Sequence, residues 1–234
     1  MISVIIPCYN SAAYIGEHVV QLSTFLKALG ESFEIVVVDD GSSDETVSIL
    51  KKCAEQDSQI RVVAFPANRG KGAAVKAGML QARGDSVLFT DADLPYDLMG
   101  IPAFLEALRS GSAVVLGARV DVGTVRGQRI HRTHLSHVFA WLANSVLKEY
   151  VPDTQAGFKG FTREAVSEIF PNVTTKGFAF DVDVIALAQA RGLQITSVPV
   201  TLVNQAPSTV HVSRDGLRMC IDLARLFIKY RLGL

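Results

Sequence analysis

Four short runs rich in β-branched and aromatic residues, Ser3–Ile6, Glu34–Val38, Arg61–Phe65 and Ser86–Thr90, alternate with stretches of helical period at Ala13–Leu29, Asp44–Gln56 and Gly72–Ala82. Strand, helix, strand in alternation predicts a parallel sheet covered by helices, because parallel neighbours need a crossover and the crossover must lie on a sheet face. Ser43 or Asp44 can cap the second helix, and Gly70-Lys71-Gly72 opens the third. The first half therefore reads as a doubly wound α/β unit. The rhythm then changes: a strand at Ala113–Leu116, a polar loop at Asp121–Arg132, a helix over about Thr133–Lys148, a turn and strand within Asp153–Thr162, a helix from Arg163, a helix at Phe178–Arg191 and a strand at Ile195–Leu202. No Pro/Ser/Gly-rich linker divides these pieces, so residues 1–212 are expected to form one domain, followed by a helix over residues 213–234.

Composition narrows what such a domain does. With 49% hydrophobic and 20% charged residues in 234, the chain has ample core material and no signature of disorder. Lys+Arg and Asp+Glu are 23 each, and a net charge of zero argues against a general nucleic-acid binder, which depends on neutralising phosphates. The three cysteines, Cys8, Cys53 and Cys220, are too few and too far apart for a disulfide framework or a CxxC zinc site, which fits a reducing, cytoplasmic setting. Met1 runs directly into a strand with no basic segment or cleavage site, so export is not expected. Leu135–Val151 is interrupted by His137, Asn144, Ser145, Lys148 and Glu149, short of a membrane span.

Residues just after strands in such a sheet line the ligand crevice. Three clusters occur there: Pro7-Cys8-Tyr9-Asn10, Asp39-Asp40-Gly41-Ser42 and Asp91-Ala92-Asp93. On an extended backbone Asp91 and Asp93 point the same way and can share a hard divalent cation, Mg²⁺ or Mn²⁺, whose shell water and substrate phosphate oxygens would complete. The other reading of the pair is a loop Asp capping the turn before Pro95. Asp39 and Asp40 can accept hydrogen bonds from a nucleobase imide or ribose hydroxyls, with the Tyr9 ring available for stacking. Ser43 and Asp44 are assigned to capping. Asn68-Arg69-Gly70-Lys71-Gly72 places glycines and a cation at a helix N-terminus, a setting suited to phosphate, although its spacing is not that of a Walker loop.

Together Val4–Asn10, Val38–Asp44, Asn68–Gly72 and Asp91–Asp93 resemble the family-2 glycosyltransferases of the GT-A fold. Gly117-Ala-Arg119, Asp153–Lys159 and Phe178–Asp183 extend the resemblance to the polyprenyl-phosphate glycosyltransferases, most closely the dolichyl-phosphate glucosyltransferase type. The fold this implies is a GT-A, Rossmann-like α/β domain with a mainly parallel sheet and helices on both faces. The activity implied is inverting transfer of a sugar, glucose above others, from a UDP-sugar to a polyprenyl phosphate. Residue by residue, Asp39 and Asp40, with Pro7, Tyr9 and Ala92, would bind the nucleoside, Lys71 would lie near the diphosphate, and Asp91 and Asp93 would hold the metal. Arg119, with Arg132 and Ser136, would hold the acceptor phosphate, a task for which arginine forks are suited. Arg126 and Arg129 compete with Arg132, and an ordinary surface arginine is the alternative. Gln155, Lys159, Asp181 and Asp183 would line the sugar and acceptor side. Asp181 is the candidate catalytic carboxylate, beside Asp93 and Arg119, whereas Asp183 has a structural ion pair as its alternative.

Pro95 stands where mannosyl relatives commonly carry glutamine, which weakens a GDP-sugar reading, and the transmembrane helices many relatives append are not present in the sequence. Along the terminal helix, Arg214, Arg218, Arg225 and Lys229 fall within roughly 60° of each other, and Leu217, Cys220, Ile221, Ala224, Phe227 and Ile228 are assigned to the other side. Packing on the core with a solvated basic edge and lying on anionic lipid at the cytoplasmic face both remain open. Trp141 and Phe139 are expected in the core, and His131, His134 and His137 on a polar helix face. Two other functions stand beside transfer to a lipid phosphate: a family-2 transferase acting on a glycan hydroxyl, for which Asp181 would be the base, and a non-catalytic nucleotide-sugar-binding protein. A nucleotidyltransferase is disfavoured because no glycine loop of that kind lies near the N-terminus.

Overall fold

The structure is a computed structural model that describes residues 1–119, 141–151, 153–204 and 212–232. Its centre is a seven-stranded sheet in the order β3-β2-β1-β4-β6-β5-β7. The strands are β1 (Ile2–Cys8), β2 (Phe33–Asp39), β3 (Ile60–Ala64), β4 (Ser86–Thr90), β5 (Val114–Arg119), β6 (Phe158–Thr162) and β7 (Ile195–Val200). All neighbours pair parallel except β6, which runs antiparallel between β4 and β5.

Ile35 and Val37 face one hydrophobic layer while Val36 and Val38 face the other, so the unbroken apolar run of β2 is explained by helices on both sides of the sheet. Helices α1 (Ile15–Ala28), α2 (Thr46–Gln56) and α4 (Ile101–Arg109) cover one face. The other face carries α3 (Lys71–Gln81), α5 (Arg163–Ile169), α6 (Phe180–Ala190) and the terminal helix α7 (Val212–Phe227), which continues as a π-helical turn at Ile228–Leu232. The mainly parallel α/β architecture read from sequence is thus present. Helix α4 has no legible period in the sequence, since Pro95, Gly100 and Pro102 obscure it; Pro102 is harmless because it falls in the first turn, where no amide partner is lost.

Two expectations are corrected here. Trp141 is 71% exposed, because residues 141–146 are helical and turn Ala143 and Val146 inward, leaving Trp141 on the opposite side. Helix α7 packs on the core through Leu223 and Leu226, whereas Cys220, Ile221, Ala224, Phe227 and Ile228, the side assigned as its apolar face, are exposed. The side chains of Arg214 and Leu217 lie outside the described residues, as do Phe139 and the three histidines.

Candidate active site

Strand order reverses at β1, with β2 on one side and β4 on the other, and the crevice opens beyond the carboxyl ends of these strands. The loop after β1 is laced to the loop after β2: Asn10 N donates to Ser42 Oγ at 2.8 Å, and Ser43 N donates to Asn10 Oδ1 at 2.8 Å. Asn10 adopts a left-handed backbone with φ 48°, a conformation asparagine tolerates. The N-cap of α2 is Glu45, whose side chain makes no capping bond, so neither Ser43 nor Asp44 is the cap; Asp44, one residue further out, instead accepts from Thr46 N and from Ala12 N and ties the start of α2 to the segment before α1. Tyr9 is left exposed at the rim. Pro7 and Ala92 are buried, and the carbonyl oxygen of Ala92 lies 2.9 Å from His18 Nδ1.

The two adjacent aspartates divide their work. Asp40 accepts from Arg69 N at 2.7 Å and Gly70 N at 2.8 Å, fixing the loop that precedes Lys71. Burial, with Asp39 beside it, raises its pKa despite those amides. Asp39 Oδ2 accepts from Gly41 N and Ser42 N, but its buried Oδ1 has no hydrogen-bond partner among the described residues. An unsatisfied carboxylate oxygen in a buried place is costly, and a ligand donor would satisfy it.

Four charges form the floor. Lys71 Nζ is 2.7 Å from Asp91 Oδ1, and Lys159 Nζ is 2.7 Å from Asp181 Oδ1, with both ammonium groups within 6 Å of the Phe89 ring centre. Burial alone would lower the pKa of Lys71, but Asp91, Asp181 and Asp93 outweigh it and hold it above the ordinary lysine value. Asp181 is 4% exposed, and its burial raises its pKa against the opposing pull of Lys159 and Lys71. It is thus a carboxylate poised to take or hold a proton more readily than one in water.

Asp91 and Asp93 do not alternate along an extended strand as the sequence suggested. Leu94 N donates to Asp91 O at 3.0 Å, so a turn follows β4 and carries both residues. The antiparallel pairing of Thr90 with Phe158 brings the Asp153–Gly157 loop onto that turn. A Cβ on Gly157 would stand 2.0 Å from Asp91 Oδ2, so only glycine leaves the carboxylate its place. Gln155 in this loop is exposed.

Two acceptor-side expectations change, those for Lys159 and Asp183, and Arg119 gains a partner. Lys159 is 1% exposed, donates to Ala156 O at 2.6 Å and supports Asp181 from below, so it lines no acceptor surface. Asp183 is fully buried and faces away: it accepts from Thr174 N, Thr175 N and the Tyr230 hydroxyl, and pairs with Lys229. Two residues along a helix turn the side chain by about 200°, which separates it from Asp181. Burial acts against its ionisation, but these donors prevail and hold its pKa below the usual range. Arg119 is engaged bidentately by Asp153, Nε to Oδ2 at 2.6 Å and Nη2 to Oδ1 at 2.8 Å, a partner the sequence contained without revealing its role. Asp153 is held below the carboxylate range, since the Arg119 fork overcomes the effect of burial. Arg126, Arg129, Arg132 and Ser136 lie outside the described residues.

Comparison with known proteins places the fold in a family. The chain is 34% identical over 253 residues to the dolichyl-phosphate beta-glucosyltransferase of Saccharomyces cerevisiae, covering 100% of this chain and 76% of the relative. It is 28% identical over 247 residues to the human dolichyl-phosphate beta-glucosyltransferase, covering 99% and 76%. Among solved structures, glucosyl-3-phosphoglycerate synthase from Mycobacterium tuberculosis in complex with Mn²⁺, UDP and phosphoglyceric acid superposes with a TM-score of 0.70 at 21% identity, over 98% of this chain and 78% of that one. Residues 3–170 match the family described as Glycosyl transferase family 2, and with the crevice and its carboxylates built as above, the chain belongs to that family of enzymes.

Proposed function

We propose that this glycosyltransferase moves glucose, with inversion, from UDP-glucose to a polyprenyl phosphate of the dolichyl or undecaprenyl kind. The carrying observation is likeness to dolichyl-phosphate beta-glucosyltransferases along the whole chain. Asp39, through its unsatisfied Oδ1, and Tyr9 would receive the nucleoside, and Lys71 the diphosphate. Asp91 and Asp93 fit a divalent ion: both supply hard oxygens on the turn after β4, and Asp91 Oδ1 already holds a cation, the Lys71 ammonium, at 2.7 Å. Among the described residues no third carboxylate, histidine or cysteine joins them, which suits Mg²⁺ or Mn²⁺ finishing its shell with donor phosphate and water. When bound, the ion neutralises charge on the departing diphosphate.

A phosphate acceptor is already anionic at neutral pH, so the attacking oxygen needs no base. It bonds to the anomeric carbon as the bond to UDP breaks, and UDP leaves with the electron pair. Asp181 then orients the sugar, Arg119 held by Asp153 meets the acceptor phosphate with Arg132 and Ser136, and Gln155 lines the approach. Catalysis rests on positioning and charge neutralisation. The raised pKa of Asp181 favours a second reading, a hydroxyl acceptor whose proton Asp181 takes. No helix among the described residues is long and apolar enough to cross a membrane. On α7 and its terminal turn, exposed Ile221, Phe227 and Ile228 with Arg218 and Arg225 support a peripheral seat on a bilayer surface.

The test is UDP release from UDP-glucose with Mn²⁺ or Mg²⁺, with and without polyprenyl phosphate in detergent. Release that needs lipid and metal, and is lost in Asp93→Ala, is expected. Donor turnover indifferent to the lipid would favour the hydroxyl acceptor, and tight nucleotide binding without turnover would make the chain a nucleotide-sugar-binding protein.

A further inference from the structure

Two hollows lie between the Asn68–Gly70 loop, the Lys176–Gly177 turn and α7. One, of about 480 Å³, is lined by Arg69, Lys176, Arg218 and Arg225, with Asp222 the only acidic residue among the described residues that line it. The other, of about 420 Å³, shares Lys176, Asp222 and Arg225 and extends the space to Lys229. The walls are fixed. Asp40 pins the Arg69 and Gly70 amides, and Lys176 O accepts from Gly72 N at 2.8 Å. Gly70, at φ +101°, leaves only 2.5 Å between a built Cβ and Lys176 O, and Gly177 approaches Asp222 Oδ2 so closely that a Cβ there would stand 3.3 Å away.

Charge in this cleft is unbalanced. Arg225 lies 3.7 Å from Asp222 and offsets it. No carboxylate among the described residues is within ion-pair distance of Arg69, Lys176 or Arg218, which come from three separate elements. Arg69, Lys176, Arg218 and Arg225 are solvent-exposed and converge on one open cleft beside a single described carboxylate, and planar guanidinium forks match a tetrahedral oxyanion.

We propose that this cleft, whose lining shares none of Asp39, Asp91, Asp93 and Asp181 with the carboxylate crevice, is a second anion site that takes a phosphate monoester or diester. A phospholipid headgroup and a free phosphate share that chemistry. The site does not depend on the donor, the acceptor or the seating of the outer face of α7.

Binding of the intact protein is measured to inorganic phosphate and glycerol phosphate by calorimetry, and to phosphatidylcholine vesicles with and without phosphatidic acid by flotation. The variants are Lys176→Gln, Arg218→Gln, and Arg231→Gln as an exposed cation of the same helix outside the cleft. Saturable binding of free phosphate, weakened about tenfold by Arg218→Gln or Lys176→Gln and unchanged by Arg231→Gln, supports the site with a soluble ligand. Binding only to phosphatidic acid vesicles, with the same dependence on the variants, supports it with a lipid headgroup. Absence of both, or equal weakening by Arg231→Gln, overturns it. Folding of each variant is checked by its thermal midpoint, and Arg218→Lys should restore part of the binding if charge in the cleft is the cause.

Discussion

Gly157 leaves Asp91 no spare room, and this makes a small substitution informative. Gly157→Ala puts a methyl group where Asp91 Oδ2 stands, so the carboxylate must move. Metal-dependent UDP release should fall by about 100-fold, as expected for a displacement of order one ångström at a reacting centre, while circular dichroism stays native; unchanged turnover would show that Asp91 is not needed where it stands. Lys159 offers a test by pH. Burial raises the pKa of Asp181 and Lys159 opposes it, so Lys159→Met raises it further. Activity needing the carboxylate is lost as pH falls through that value, and the acid limb of kcat/KM should therefore move to higher pH in Lys159→Met and return in Lys159→Arg. A limb that stays in place would separate Asp181 from the rate. In the sequence Lys159 looked like a ligand residue, since nothing local says that an alternate residue of β6 points into the core beneath Phe89.

At the scale of elements, α6 carries opposite duties on opposite sides. Asp181 pairs with Lys159 on the crevice floor, while Asp183 clamps the C-terminal π-turn to the Thr174–Thr175 loop. Removing one partner from a buried charged cluster costs about 3 kcal/mol, so Asp183→Asn should lower stability by about that much in urea unfolding at neutral pH. Because the folded pKa of Asp183 is depressed, its contribution is present above the unfolded value of about 4 and is lost as pH falls through the folded value. The gap between wild type and variant should close in acid; a gap constant with pH would contradict the charge-based account. The motif Phe178–Asp183 was legible as a unit, but its division was not, because the helical step decides which carboxylate faces which neighbour. Helix α7 shows the same limit: its amphipathic character was readable, yet the face that meets the core is Leu223 and Leu226, chosen by where α7 crosses the α6 side of the sheet.

For the whole molecule, the crevice hangs on a sheet whose two hydrophobic layers close without it. Chelation of divalent metal should therefore abolish UDP release yet leave the thermal midpoint of the free protein within a degree or two, while UDP with Mn²⁺ raises it by mass action. A chelator that unfolds the protein would make the ion structural. The strands β1 to β4, the mainly parallel architecture and the loops bearing Asp39, Asp91 and Lys71 were determined by the sequence itself, because period-2 and period-3.6 patterns and strand-end clusters are local properties. What only the tertiary structure decided is long-range: β6 enters antiparallel beside β4, and that pairing sets Gly157 against Asp91, buries Lys159 beneath Asp181 and brings Asp153 to Arg119. No local pattern encodes such a neighbour, since register across a sheet follows from the packing of residues about 70 positions apart in the chain.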